Sequence, residues 1–140
     1  MTAETDLATL LATLRVDARP GEFVFVLASP SALAPPAWLA DAEATVRESG
    51  GLSVVMPRQR ADALGLPYDF VACWLTLAVH SALHAVGLTA AVSTALAREG
   101  IACNVIAGLG HDHLLVPSAR RQDALDALAR LVAQHRPPPR

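Results

Sequence analysis

Apolar residues along the chain recur at helical spacing in several places, and this spacing predicts a small set of helices. The helices are expected at the repeat Leu7, Leu10, Leu11 and Leu14, at Arg58 to Leu64, at Thr89 to Glu99 and beyond Ser118. Gly65 and Gly100 stand where helices often end in the left-handed conformation, and Ser118 is expected to be the N-cap of the last helix.

Between these helices, runs of β-branched and aromatic residues predict strands. They are Glu22 to Ala28, two runs on either side of Ser49-Gly50-Gly51, Val71 to Val79, Ile101 to Ala107 and His113 to Val116. The two runs around the glycines are typical of a hairpin, since glycine adopts the positive φ of a tight turn. A helix over residues 40–48 is the alternative for the first run.

The order of these elements predicts the fold class. The second half reads β-α-β-β-α, and one more strand completes the βαββαβ unit of ferredoxin-like folds. No strand follows the last helix, so we expect Glu22 to Ala28 to supply the closing strand. The first half reads as a reduced version of the same unit. The prediction is therefore an α+β, ferredoxin-like chain of two small lobes with antiparallel sheets.

Composition excludes several functional classes. The net charge of −2 gives no sign of a nucleic-acid surface. Hydrophobic residues make up 53%, yet the longest apolar run, Phe70 to Val79, is too short to span a bilayer. The excess apolar surface favours a second lobe or a homodimer.

The cysteines and the N-terminus indicate the cellular compartment. Cys73 and Cys103 lie in apolar runs, as reduced core thiols do. The N-terminus lacks the features of a signal peptide, so a cytoplasmic protein is expected.

Three segments in order carry a family resemblance: Val79 to Ala90, Leu96 to Val105 and His111 to Pro117. Together they resemble ACT-domain proteins. The likeness is to small stand-alone bacterial members with a degenerate ACT-like lobe in front, related to the ACT domains of the cytosolic arginine sensor. This implies a degenerate ACT-like lobe over residues 1–66, an ACT domain over 67–134 and a disordered tail over 135–140.

The resemblance implies a non-catalytic regulatory protein that dimerises and binds a small molecule, usually an amino acid. The ligand would lie at the turn between the first strand and first helix of the ACT domain, His80 to Leu88, with Asn104 contributing from the next strand. Where ACT domains commonly have Asp-x-Pro-Gly, this chain has His84-Ala-Val-Gly87.

Topology independently favours the same end of the sheet. In a β-α-β-β unit, the end of the first strand, the start of its helix, the end of the second strand and the start of the third lie together. The helix start offers backbone N–H groups to a carboxylate, and Gly87 permits close approach of the backbone. The predicted ligand-binding residues are His80, Ser81, Ala85, Val86, Gly87, Leu88, Thr89, Asn104, Ile106, His111 and His113.

Alternatives remain open at this end. His111 and His113 point to one face of a strand, and His80 is expected to lie near His111, so three imidazoles are available for a metal, for a ligand or for an interface. A histidine- or metal-dependent enzyme and a pure dimerisation module are the other functions considered. Because no nucleophile elbow, phosphate loop or Cys-x-x-Cys is present, the preferred prediction has no catalytic residues, no metal and no cofactor.

Overall fold

A computed structural model describes residues 6–29 and 35–140. The chain forms two compact units. The terminal unit comprises the described part of Met1–Arg19 together with Cys73–Arg140, and the inserted unit is Pro20–Ala72. The division of the sequence at residues 66 and 67 stays a prediction.

The inserted unit is a βαββαβ unit whose first helix is reduced to a 3₁₀ helix. Its elements are β2 (Phe23–Ala28), the 3₁₀ helix Ala37–Asp41, β3 (Ala44–Glu48), β4 (Gly51–Pro57), α2 (Arg58–Leu64) and the start of β5 (Val71–Leu77). The strand order is β3-β4-β2-β5, with antiparallel neighbours. Val24, Val26, Val54 and Met56 form its core against Ala61 of α2.

The predicted hairpin and helix end of this unit are confirmed. Glu48 of β3 pairs with Gly51 of β4, which leaves a two-residue turn, and residues 44–48 are strand and not helix. Gly65 ends α2 at φ 66°, a backbone conformation that residues with a side chain rarely adopt.

The terminal unit contains the remaining elements. They are α1 (Leu7–Thr13), β1 (Val16–Ala18), the rest of β5, α3 (Leu88–Arg98), β6 (Asn104–Ala107), β7 (Asp112–Pro117), the 3₁₀ helix Ser118–Arg120 and α4 (Arg121–His135). Hydrogen-bonded neighbours follow the order β1-β5-β7-β6. Leu75 and Leu77 of β5 and Leu114 of β7 are buried with the apolar faces of α1, α3 and α4. Gly100 follows α3 at φ 68°, so the predicted helix end is confirmed.

Two predictions about this unit are wrong. The closing strand is β1, which pairs antiparallel with β5 through Val16 and Leu77, and not Glu22 to Ala28. The latter strand pairs along its whole length with β4, and its first two residues pair with Val71 and Ala72 at the start of β5, within the inserted unit. Ser118 does not cap α4, since a 3₁₀ turn intervenes and Arg120 holds the cap position.

Alternation along β5 divides the terminal sheet into two faces. Cys73, Leu75 and Leu77 face the helices, so Trp74 and Thr76 point to the opposite side, which we call the helix-free face. Trp74 is nevertheless buried, at 4% exposure. Across the described ranges, 6–29 and 35–140, no helix is long and apolar enough to cross a membrane.

Candidate functional site

The loop that joins β5 to α3 is held by backbone hydrogen bonds at its start and by a tight turn in its middle. Ala78 N–H donates to the carbonyl of Arg15 at 2.6 Å, which fixes the loop beside the chain that enters β1. Ala85 N–H donates to the carbonyl of Ala82 at 3.0 Å. The Ser81 hydroxyl donates locally to the Ala82 carbonyl at 3.4 Å. The loop therefore presents Leu83 and Val86 to solvent, at 66% and 83% exposure.

Gly87 starts α3 in a conformation that only glycine readily adopts. Its φ is 107°, and a Cβ built there would lie 2.7 Å from Cδ2 of Leu7 in α1. The backbone angle favours glycine, and a side chain there would also force the Leu7 side chain to shift. Leu88 is buried directly after it, whereas Thr89 is exposed. Gly87 therefore has a structural role here, whatever the loop binds.

The imidazoles of His80 and His111 lie beside each other at this end of the sheet. Their ring centroids are 6.3 Å apart and the planes are inclined by 29°. His80 is half-buried and His111 is exposed. The β6–β7 hairpin positions His111, because Gly108 N–H donates to the His111 carbonyl at 2.8 Å. The proximity that topology predicts for these two residues is present.

His113 is held on the helix-free face by hydrogen bonds to neighbouring β5. The indole N–H of Trp74 donates to Nδ1 of His113 at 3.2 Å, and the Thr76 hydroxyl lies 3.0 Å from the same nitrogen. Because an indole N–H can only donate, Nδ1 must accept, and the ring proton of neutral His113 lies on Nε2. The guanidinium of Arg19 lies 4.7 Å from the centroid of the Trp74 ring.

The pKa of His113 is lowered from its usual value. The main cause is burial, which disfavours the imidazolium form. The nearby charges of His111 and Arg19 lower the pKa further, and Asp112 opposes them. His113 is therefore a neutral hydrogen-bond acceptor at physiological pH.

Strand β6 contains two of the predicted residues, Ile106 and Asn104, at different distances from the end of the sheet where the loops meet. Ile106 pairs directly with His113, so the two share the helix-free face next to the hairpin. Asn104 pairs with Leu115 and donates from Nδ2 to the Leu115 carbonyl at 3.3 Å. Asn104 lies three residue steps along the strand, about 10 Å, from the end of β6 at Ala107. Asn104 thus shares the face of Ile106 but not its end of the sheet.

The structure brings His80 beside His111 and Ile106 beside His113, and it shows three further side chains in this region that sequence reasoning did not consider. Arg19 stacks on Trp74, and Leu83 and Leu109 are exposed on the two loops of this end, at 66% and 83%. The signal for Arg19 is its alternation with Asp17, but a strand of three residues is too short to be recognised. Leu83 and Leu109 are apolar residues in loops, which suggests an interface only once their exposure is known.

The metal-binding alternative finds no geometric support. Within residues 6–29 and 35–140, no group of three or more His, Cys, Asp or Glu side chains is arranged to hold a metal ion. Nδ1 of His113 faces Trp74 and Thr76, so this nitrogen is occupied within the fold.

Comparison with known proteins identifies the class. ACT domain models match residues 2–73 and residues 70–130. The chain therefore belongs to the ACT domain family, with two ACT lobes of ferredoxin-like fold. ACT domains are regulatory modules that bind small ligands, so the chain is a regulatory, ligand-binding ACT protein.

Solved structures place the chain among particular relatives. A Vibrio cholerae protein of unknown function, described as a possible transport protein, is 39% identical over 90% of this chain and 95% of its own, with a TM-score of 0.79. An Agrobacterium tumefaciens protein is 26% identical over 85% and 89% of the two chains, with a TM-score of 0.63. The ligand-free regulatory subunit of Thermus thermophilus aspartate kinase shares the fold at 10% identity, covering 85% and 96%, with a TM-score of 0.62. None of the curated proteins matches.

Proposed function

We propose that the terminal unit is a sensor that binds a free amino acid at the end of its sheet where β5 leads into α3. The observation that carries this proposal is the convergence of that loop with the β6–β7 hairpin, seen in the 6.3 Å separation of the His80 and His111 rings. The start of α3 supports it, because unpaired N–H groups and the helix dipole favour a carboxylate there. Ser81 and Thr89 supply hydroxyl groups nearby, and Ile106 lies on the adjoining strand β6.

We further propose that the protein is not an enzyme. Burial raises the pKa of the Cys73 thiol and of the Cys103 thiol, so neither is an activated nucleophile. His113, a half-buried imidazole, uses its basic nitrogen as a hydrogen-bond acceptor within the fold. A general base would need that nitrogen available to substrate.

We also propose that the protein is a homodimer and that it is located in the cytoplasm. Leu83, Val86 and Leu109 are exposed on the loops of one end, and apolar side chains in such positions are typical of a protein–protein contact. Sedimentation equilibrium of the chain and of Leu109→Glu tests this, since the substitution is expected to give monomers. The two cysteines form no disulfide, which suits a reducing compartment.

A thermal-shift screen of the twenty amino acids at millimolar concentration tests the ligand. Binding to the native state alone raises its stability by RT ln(1 + [L]/Kd), about 2.7 kcal/mol at a hundredfold excess over Kd. We expect one class of amino acid to raise the melting temperature. If none does, the sensor function is wrong.

A matched pair of variants tests the location. Thr89→Asp adds a negative charge at the exposed second residue of α3, where it favours the helix but repels a ligand carboxylate. Thr94→Asp makes the same change in the middle of the same helix, also on the exposed surface. The ligand-induced shift should be lost in Thr89→Asp and kept in Thr94→Asp. Equal shifts in both variants would move the site elsewhere.

A further inference from the structure

The two loops that meet at the proposed site are rich in imidazole and contain no carboxylate. Residues 78–89 include His80 and His84 but no Asp or Glu, and the hairpin residues 107–111 end in His111, again without an acidic side chain. An amino-acid site selective for a basic side chain needs a carboxylate to pair with the second ammonium group, because an unpaired charge is costly to desolvate. These loops offer none.

Two acidic side chains of the adjoining strands, Asp112 and Asp17, are turned to the other face or paired. Asp112 lies between His111 and His113 in β7, so alternation turns it to the other face of the sheet. Asp17 of β1 pairs with Thr76 in register, and its carboxylate forms an ion pair with Arg15 at 3.4 Å.

Nitrogen-bearing side chains that can bind a carboxylate lie on the same side. The ring pair of His80 and His111 stands at the end of the sheet, and the Arg19 guanidinium lies over Trp74 on the helix-free face. A carboxylate beside an imidazole favours its protonated form, so an acidic ligand strengthens the charge that binds it.

We infer that the ligand of this site is an acidic amino acid, with a side-chain carboxylate bound by the His80 and His111 pair. This inference rests on the proposed function and specifies its ligand class. It predicts that aspartate and glutamate bind more tightly than asparagine and glutamine, which have nearly the same shape without the charge. A surface ion pair is commonly worth up to about 1 kcal/mol, so a difference of about threefold to fivefold in Kd is expected.

Isothermal titration of the full chain with aspartate, asparagine, glutamate, glutamine and lysine tests the inference. His80→Gln and His111→Gln keep a hydrogen-bonding side chain but not the imidazole, and each should abolish most of the preference of aspartate over asparagine. His135→Gln is the matched control at the end of α4, where the ring contacts the Leu131 carbonyl at 2.9 Å, and it should keep the preference.

The outcomes separate the inference from the function on which it rests. A preference for aspartate that both site variants remove supports the inference. If lysine or asparagine binds as tightly as aspartate, the acidic-ligand inference is overturned and the sensor function stands. If no amino acid binds, both fail.

Discussion

The hydrogen bond between Trp74 and His113 makes the stability of the terminal unit depend on one imidazole. His113→Leu keeps a side chain of similar size but removes the acceptor that lies 3.2 Å from the indole nitrogen. Removing one partner of a buried hydrogen bond costs about 1–3 kcal/mol, and Trp74 is only 4% exposed. Because leucine recovers some apolar contact with the indole, we expect a loss of about 1–2 kcal/mol at about pH 8.

The same variant should alter the pH dependence of stability, and the sign follows from the direction of the pKa shift. The pKa of His113 is lowered in the folded chain, so the neutral ring is the favoured native form. Its contribution is complete above the unfolded pKa of about 6.5 and is lost as the pH falls from there through the folded pKa. Because the ring is partly exposed to solvent, we expect this fall in pH to lower the free energy of unfolding by about 1 kcal/mol or less.

Urea unfolding of the chain and of His113→Leu at several pH values between about 8 and about 5 measures both effects. The chain's advantage over the variant should shrink as the pH falls. The other four histidines are present in both proteins, so the difference between the two curves reports His113. Parallel curves would refute the assigned tautomer and hydrogen bond.

Three further predictions concern the packing of the terminal unit. Gly87→Ala should cost about 1–3 kcal/mol in urea unfolding, and Leu7→Ala in the same chain should relieve only part of it, because the φ strain remains. Leu75→Ala should cost about 2–5 kcal/mol, whereas Leu83→Ala on the exposed loop should change stability by less than about 0.5 kcal/mol. A fragment of residues 67–134 should show no cooperative unfolding by circular dichroism unless residues 6–19 are added, and a stable fragment would favour the domain division drawn from chain order.

Sequence reasoning predicted elements well where the signal was local. The turn at Ser49 and Gly50 follows from two strand-prone runs around glycines, and Gly65 and Gly100 end helices because the backbone there takes positive φ. The prediction for Ser118 was wrong because distant contacts decide the start of α4. Arg120 bonds both Asp123 in the helix, at 2.8 Å, and the Glu99 carbonyl, at 3.0 Å.

For the candidate site, topology predicted which histidines lie close together but not which hydrogen bonds their side chains form. The approach of His80 to His111 depends only on which strands are neighbours, so the element order was sufficient. The hydrogen bond between His113 and Trp74 depends on the burial of the indole and on the rotamer of the imidazole ring. Neither property can be recognised as a pattern in the sequence. The same holds for the exposure of Leu83.

The closing strand of the terminal unit shows why chain order misleads in this fold. β1 is only three residues long and has the polar Asp17 at its centre, so no periodicity marks it, while the apolar run of β2 looks like the better donor. Yet β1 follows α1, and Leu10 and Leu11 of α1 and its C-cap residue Leu14 are buried in the terminal core. The packing of that helix carries its short strand to β5. Through Leu7 the same helix also contacts Gly87, so the first turn of the chain's first helix supports the loop that we propose binds the ligand.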